Sequence, residues 1–175
     1  MTKDTEIESL PELEWSYFYE ADKINEEIKR ITIAPDDNEK ESLARRLGLY
    51  TVKELEATLQ LQRNRINKNI HISGRISATV EQKCVITTDP VLEKIEETFE
   101  AWFSEPNSAV SFAKAKRERM SLKERNEQPI LEEAEDPEEV VGGKIDLGEL
   151  IVQHLSLALN PYPRCEGAVF EQVDK

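Results

Sequence analysis

IHISGRISATVEQKCVI, residues 70–86, decides the architecture of this chain. Ile70, Ile72, Gly74, Ile76, Ala78, Val80, Cys84 and Ile86 fall on every second position. His71, Ser73, Arg75, Ser77, Thr79, Glu81 and Lys83 alternate with them, and only the polar Gln82 interrupts the inner row. Successive side chains of a strand point to opposite faces, so a period of two sustained this long reads as a strand with one face buried and one wet. The residues just upstream repeat the pattern: Leu55, Ala57, Leu59 and Leu61 point one way, against Glu54, Glu56, Thr58, Gln60 and Gln62. NRINKN, residues 64–69, lies between the two runs and reverses the chain. The two strands therefore pair antiparallel.

Outward from this pair the signals are mixed. In 91–103, Val91, Ile95, Phe99, Ala101 and Phe103 suit a strand, while Leu92, Ile95, Phe99 and Trp102 suit a helix, which its glutamates also favour. Thr88-Asp89-Pro90 reads as a turn, and a turn directly after a long strand suggests a returning strand. Spacing alone leaves both open. Upstream, residues 15–19 and Ile31-Thr32-Ile33 are strand-like. Asp36 and Glu39 form a capping pair, Leu43, Ala44 and Leu47 a short apolar stripe, and Gly48 a C-terminal cap, so a helix is expected over roughly 37–47. Downstream, GGKIDLGELIVQHLSLALNPYPRCEG spans 142–167. Asp146 and Glu149 mark a helix start; Leu147, Leu150, Ile151, Leu155 and Ala158 share one face, which Leu157 and Leu159 widen. Asn160-Pro161 ends that helix, because the residue before proline is pushed out of the α region.

The 142–167 block, preceded by CVITTDPVLEKIEETFEAWF at 84–103 and an acidic linker, resembles the bacterial YceD family, named for accumulation of the large-subunit ribosomal RNA. Weaker similarity reaches RRLGL at 45–49, and the resemblance covers all but the first ten residues and 105–140. It implies a strand over 91–103 and a role in accumulation of that RNA. Some relatives carry a CxxC at the first cysteine and more cysteines near the end, an arrangement that resembles zinc ligation. Here the second position of the pair is Thr87, the tail offers only Cys165, and His71 and His154 have no ligand-like spacing to either cysteine. No metal and no cofactor are expected, since two thiols cannot close a four-ligand site. Cys84 reads as a small buried hydrophobe at a strand end.

The fold expected is α+β: an antiparallel sheet of the long strands 53–63, 70–86 and 91–103, its apolar face covered by helices at about 37–47 and 147–159. One domain takes in 11–104 and 141–170 of the 175 residues. Between its parts, 105–140 carries Lys114, Lys116, Arg117, Arg119, Lys123 and Arg125 against Glu118 and Glu124. Glu127, Glu132, Glu133, Glu135, Asp136, Glu138 and Glu139 follow. A basic block before an acidic one, with few apolar residues, reads as a mobile insert, and 1–10 and 171–175 read as flexible ends. No run of about 18 apolar residues occurs and the N-terminus lacks an apolar secretory core, so a soluble cytoplasmic protein is expected, without a membrane partner.

Catalysis finds no support. There is no phosphate-binding glycine loop, no histidine is tied by spacing to a cysteine, and the glutamates are spread over polar faces. A non-enzymatic protein without a small-molecule substrate is expected. A net charge of −13 opposes nucleic-acid binding by the whole surface but leaves room for a local basic face. Between Gln60 and Lys83 the cations are Arg63, Arg65, Lys68, Arg75 and Lys83 against Glu81 alone, and these five are the candidate RNA-binding residues. Two readings of them stand side by side: phosphate contact, or ordinary solvated charges that protect sheet edges. No aromatic residue interleaves them, so base stacking is not indicated. The partner expected is large-subunit ribosomal RNA or a pre-ribosomal particle; the rival is a ribosomal protein that meets the acidic surface.

Overall fold

The computed structural model describes residues 14–105 and 137–168. Expectations for 1–10, for 171–175 and for 106–136 of the charged insert lie outside the described residues.

Two strands occupy the centre: β3 (Thr51–Arg63) and β4 (Ile70–Lys83). They pair antiparallel, Leu61 opposite Ile72 and Ala57 opposite Ile76. The inner row is buried as the alternation requires: Leu55, Ala57, Leu59, Leu61, Ile70, Ile72, Ile76, Ala78 and Val80. Gln82 does not break it. Its side chain is buried and donates from Nε2 to the Asn160 carbonyl at 3.0 Å. The strand ends at Lys83, so Cys84, Val85 and Ile86 belong to the following loop rather than to the strand expected through 86.

The 91–103 ambiguity resolves to a strand, β5 (Pro90–Ser104), antiparallel to β4. Its two-sided pattern came from Glu93 and Glu97, which share the inner row with Ile95, Phe99 and Phe103, while Leu92 and Trp102 stand on the wet row. Two strands flank this core. β2 (Lys29–Ile33) pairs antiparallel with β3, and the short β6 (Glu138–Glu139) runs parallel to β5, giving the order β2-β3-β4-β5-β6. Glu138–Val140, which the sequence reading assigned to the charged insert, pack on the sheet: Val140 is 2% exposed and its N–H donates to Ser104 at 2.9 Å. β1 (Phe18–Glu20) pairs separately with β7 (Lys144–Asp146).

Two helices cover the apolar face. α1 (Asp37–Leu47) starts in a complete capping box, Asp36 accepting from the Glu39 N–H and Glu39 returning to the Asp36 N–H. It stops at Gly48, whose φ of 67° closes the helix at little steric cost. It packs on β3 through Leu43 and Ala44. α2 (Leu147–Ala158) is capped by Asp146, whose Oδ1 accepts from Gly148 at 3.0 Å and Glu149 at 3.2 Å. Glu149 does not return the bond its spacing suggested. It grips Arg46 of α1 through two bonds of 2.7 Å, which ties the helices together. The Arg46 guanidinium holds the Glu149 carboxyl below the usual carboxylate range.

Two glycines permit the closest approaches. Gly74 lies between Leu59 and Phe99, and any Cβ there would overlap the Phe99 ring, which stacks on His154 of α2 at 4.1 Å. At Gly148 a Cβ would meet the Trp15 carbonyl and the Tyr17 nitrogen at 2.9 Å, because residues 15–17 cross the start of α2 there.

Candidate nucleic-acid interface

The loop 64–69 joins β3 to β4 and is built from its own side chains. Asn64 donates its N–H to the Asn69 carbonyl at 2.8 Å, and its Oδ1 accepts from Ile66 at 2.8 Å and Asn67 at 3.3 Å. These bonds substitute for the strand ladder and hold the turn tight. Arg65 and Lys68 project from it with side chains 85% and 61% exposed, and Ile66 is 93% exposed.

The five predicted cations do not form one cluster. Arg63 is part of the scaffold, its side chain 14% exposed. It donates to the carbonyls of Ile24 at 2.9 Å, Ala21 at 2.8 Å and Lys68 at 3.3 Å, and pairs with Glu105 at 2.6 Å. Arg75 stands exposed in the middle of the wet face, between Thr58 of β3 and Thr98 of β5. Lys83 is exposed at the far end of β4, roughly 43 Å from Ile70 at the ~3.3 Å rise of a strand. Arg65 and Lys68 alone share the tip.

Topology also delivers what the local sequence omitted. Glu26 approaches Arg65 at 3.9 Å and Lys68 at 4.0 Å, and Glu100 lies 3.4 Å from His71. The hairpin end is therefore less positive than its own residues suggest. Two exposed cations nevertheless share one carboxylate at long range, an arrangement worth little in water.

Along the chain no aromatic residue interleaves these cations, but the fold brings one beside the hairpin tip. The β4–β5 register puts Trp102 opposite His71, and their rings stack with centroids 4.0 Å apart. Beside them opens a cleft of about 450 Å³, lined by Glu26, Gln62, Arg65, Ile66, His71 and Trp102 among others. Reading β5 as a strand was the only signal that could have found Trp102.

The opposite end of β4 carries the thiols. Cys84 is 1% exposed, and it is more than a small hydrophobe. Its Sγ accepts from the N–H groups of Thr87 at 3.4 Å and Cys165 at 3.3 Å, and Thr87 Oγ1 lies 3.6 Å from Cys165 Sγ. Hydrogen bonding from the Thr87 side chain, then from these N–H groups, holds the Cys84 thiol down at about 6. Among the described residues no three His, Cys, Asp or Glu side chains are grouped to hold a metal. No helix among them is long and apolar enough to cross a membrane.

Comparison with curated proteins and with solved structures finds no match for this chain. The family model described as "Large ribosomal RNA subunit accumulation protein YceD" matches residues 72–175, more than half of the chain, from the central strand through β5, β7 and α2. That description names accumulation of an RNA and not a catalysed reaction. With both blocks of sequence inside a match of that length, the chain belongs to the YceD family.

Proposed function

We propose that this protein supports accumulation of large-subunit ribosomal RNA by binding that RNA directly, without catalysis, at the tip and wet face of the β3–β4 hairpin. The observation that carries this reading is the loop 64–69. A turn closed by its own side chains fixes the bases of Arg65 and Lys68, and both reach solvent with Glu26 the one carboxylate paired to them among the described residues. Cations on a stiff turn lose less chain entropy on binding than cations on an unstructured segment. Arg75 extends the site along the wet face, Arg63 acts as its scaffold, and Lys83 falls outside it. The chain as a whole carries a net charge of −13, so acidic surface elsewhere repels RNA and favours one orientation. The protein acts in the cytoplasm on naked large-subunit RNA or on a pre-ribosomal particle.

The test is salt-dependent binding of large-subunit ribosomal RNA fragments. The double change Arg65→Ala with Lys68→Ala should weaken binding across fragments and flatten the log–log salt slope by about two, one for each lost phosphate contact. Unchanged affinity and slope would remove the hairpin tip from the interface. A second reading has its own observation. Glu54, Glu56, Glu96 and Glu100 stand exposed on the wet face, the carboxylates of Glu54 and Glu96 fixed by the hydroxyls of Thr79 and Ser77. Such a face suits a basic ribosomal protein. Capture of one purified ribosomal protein, lost on Glu54→Gln with Glu96→Gln while RNA does not bind, would favour it.

A further inference from the structure

We infer that the cleft at the hairpin tip receives one unpaired nucleotide, its base against the Trp102–His71 stack and its phosphate between Arg65 and Lys68. This rests on the RNA reading above and narrows it from nucleic acid in general to single-stranded RNA. Four observations converge. Stacking occupies one face of each ring, and Trp102 remains 37% exposed, so aromatic surface is left over on the polar side of the sheet. Ile66 stands 93% exposed on a turn in which its own N–H is held by Asn64 Oδ1. Together these flank the cleft with apolar surface suited to a base. A volume of about 450 Å³ falls within the range of small-molecule sites and admits a single nucleotide.

The polar groups fit the same ligand. Gln62 uses Nε2 on the Glu26 carbonyl at 3.0 Å, and Asn64 uses Oδ1 on the turn. Gln62 Oε1 and Asn64 Nδ2 are engaged by no described residue, which leaves one acceptor and one donor beside the cleft for a base edge. Arg65 and Lys68 share Glu26 at 3.9 and 4.0 Å, distances at which a phosphate can displace the carboxylate. A duplex would bring phosphates but no base face, because its bases are stacked on each other; bases available for stacking on aromatics come from loops, bulges and single strands.

The experiment uses the full chain, a ten-nucleotide single-stranded RNA and an RNA duplex of equal length. The protein has two tryptophans, and Trp15 is 3% exposed, so quenching of intrinsic fluorescence by RNA reports Trp102. The single strand should quench and the duplex should not. Trp102→Leu should weaken single-strand binding about tenfold, the order expected when one base loses its stacking partner, and leave the salt slope unchanged. Ile66→Ser, on a side chain that packs against almost nothing, should weaken it in the same direction and guards against a folding defect in the first variant. Binding of the single strand without quenching, unaffected by both variants, would overturn the cleft while leaving RNA binding intact. Binding of neither RNA, nor of any large-subunit fragment, would overturn the RNA reading and the cleft with it. Quenching by a basic ribosomal protein and by no RNA would make the cleft a protein site and overturn it as a nucleotide site.

Discussion

Loop 64–69 at one end of β4 and loop 84–89 at the other follow the same hydrogen-bond plan. In each, the first N–H donates to the sixth carbonyl, Asn64 to Asn69 and Cys84 to Asp89, both at 2.8 Å. The fifth N–H returns to the first carbonyl at 3.1 Å from Lys68 and 3.0 Å from Thr88, and both fifth residues have positive φ, 60° and 66°. The first side chain accepts from the fourth N–H, an amide oxygen in Asn64 and a sulfur in Cys84. The fourth side chain, Asn67 or Thr87, accepts from the sixth N–H. What sits on the two loops differs. The tail lies over the second, with the Val85 N–H donating to Pro163 at 2.9 Å and the Cys165 N–H donating to Cys84 Sγ. On the first, Ile66 faces solvent where the equivalent Ile86 is half-buried. One turn geometry thus serves as an internal clasp at one end and as a presenting platform at the other.

Removing the first-position acceptor should separate the two roles most strongly. Asn64→Ala frees N–H groups that water can satisfy and should cost about 1 kcal/mol. Cys84→Ala frees N–H groups from two segments, one of them the docked tail, and should lower stability roughly twice as much. Chemical denaturation of the two variants checks this, and equal losses would deny that the tail matters to the second loop.

A pH-dependent effect distinguishes sulfur from amide. The folded state lowers the Cys84 thiol from 9.0 to about 6, so the folded chain favours the thiolate. The stability this contributes is fully present above about 9 and is lost as pH falls through about 6. The melting temperature should therefore rise from pH 6 to 9, relative to Cys84→Ser, which lacks this titration. Parallel curves for the two proteins would show that Cys84 stays a neutral thiol.

The smallest expected effect tests the shared skeleton. Lys68→Gly and Thr88→Gly relieve a left-handed backbone that a Cβ disfavours, and each should stabilise by roughly 0.5–1 kcal/mol. The β-branched Thr88 should gain more. Destabilisation at either position would mean that the loops are not built alike.

What could be read from residue order was whatever depends on neighbours along the chain. The alternation in β3 and β4, the capping box at Asp36 and the Gly48 stop all follow from local backbone chemistry, and each lies where its pattern placed it except that β4 stops at Lys83. β5 could not be read this way, because Glu93 and Glu97 occupy inner positions near an edge that the helices do not fully cover. Partners set by topology were hidden too. Arg63 bonds to backbone carbonyls some 40 positions earlier, whose availability no side-chain pattern signals. Trp102 meets His71 only because the loop at 84–89 sets the β4–β5 register. Both decide how the candidate site is understood: one removes a cation from it and the other adds an aromatic ring.

The pairing of β1 with β7 has a consequence for the order of events during synthesis. Phe18 lies opposite Asp146, and residues 15–17 cross the start of α2 at Gly148. At translation rates of about 5–20 residues per second, the segment around Phe18 waits roughly 6–25 s for its partner strand to be made. The β3–β4 hairpin needs only near neighbours and can close first, since local pairing costs less loop entropy. During that interval Trp15, buried in the finished protein, has no β7 or α2 to cover it, and the nascent chain displays an apolar N-terminal segment beside a hairpin that is already formed.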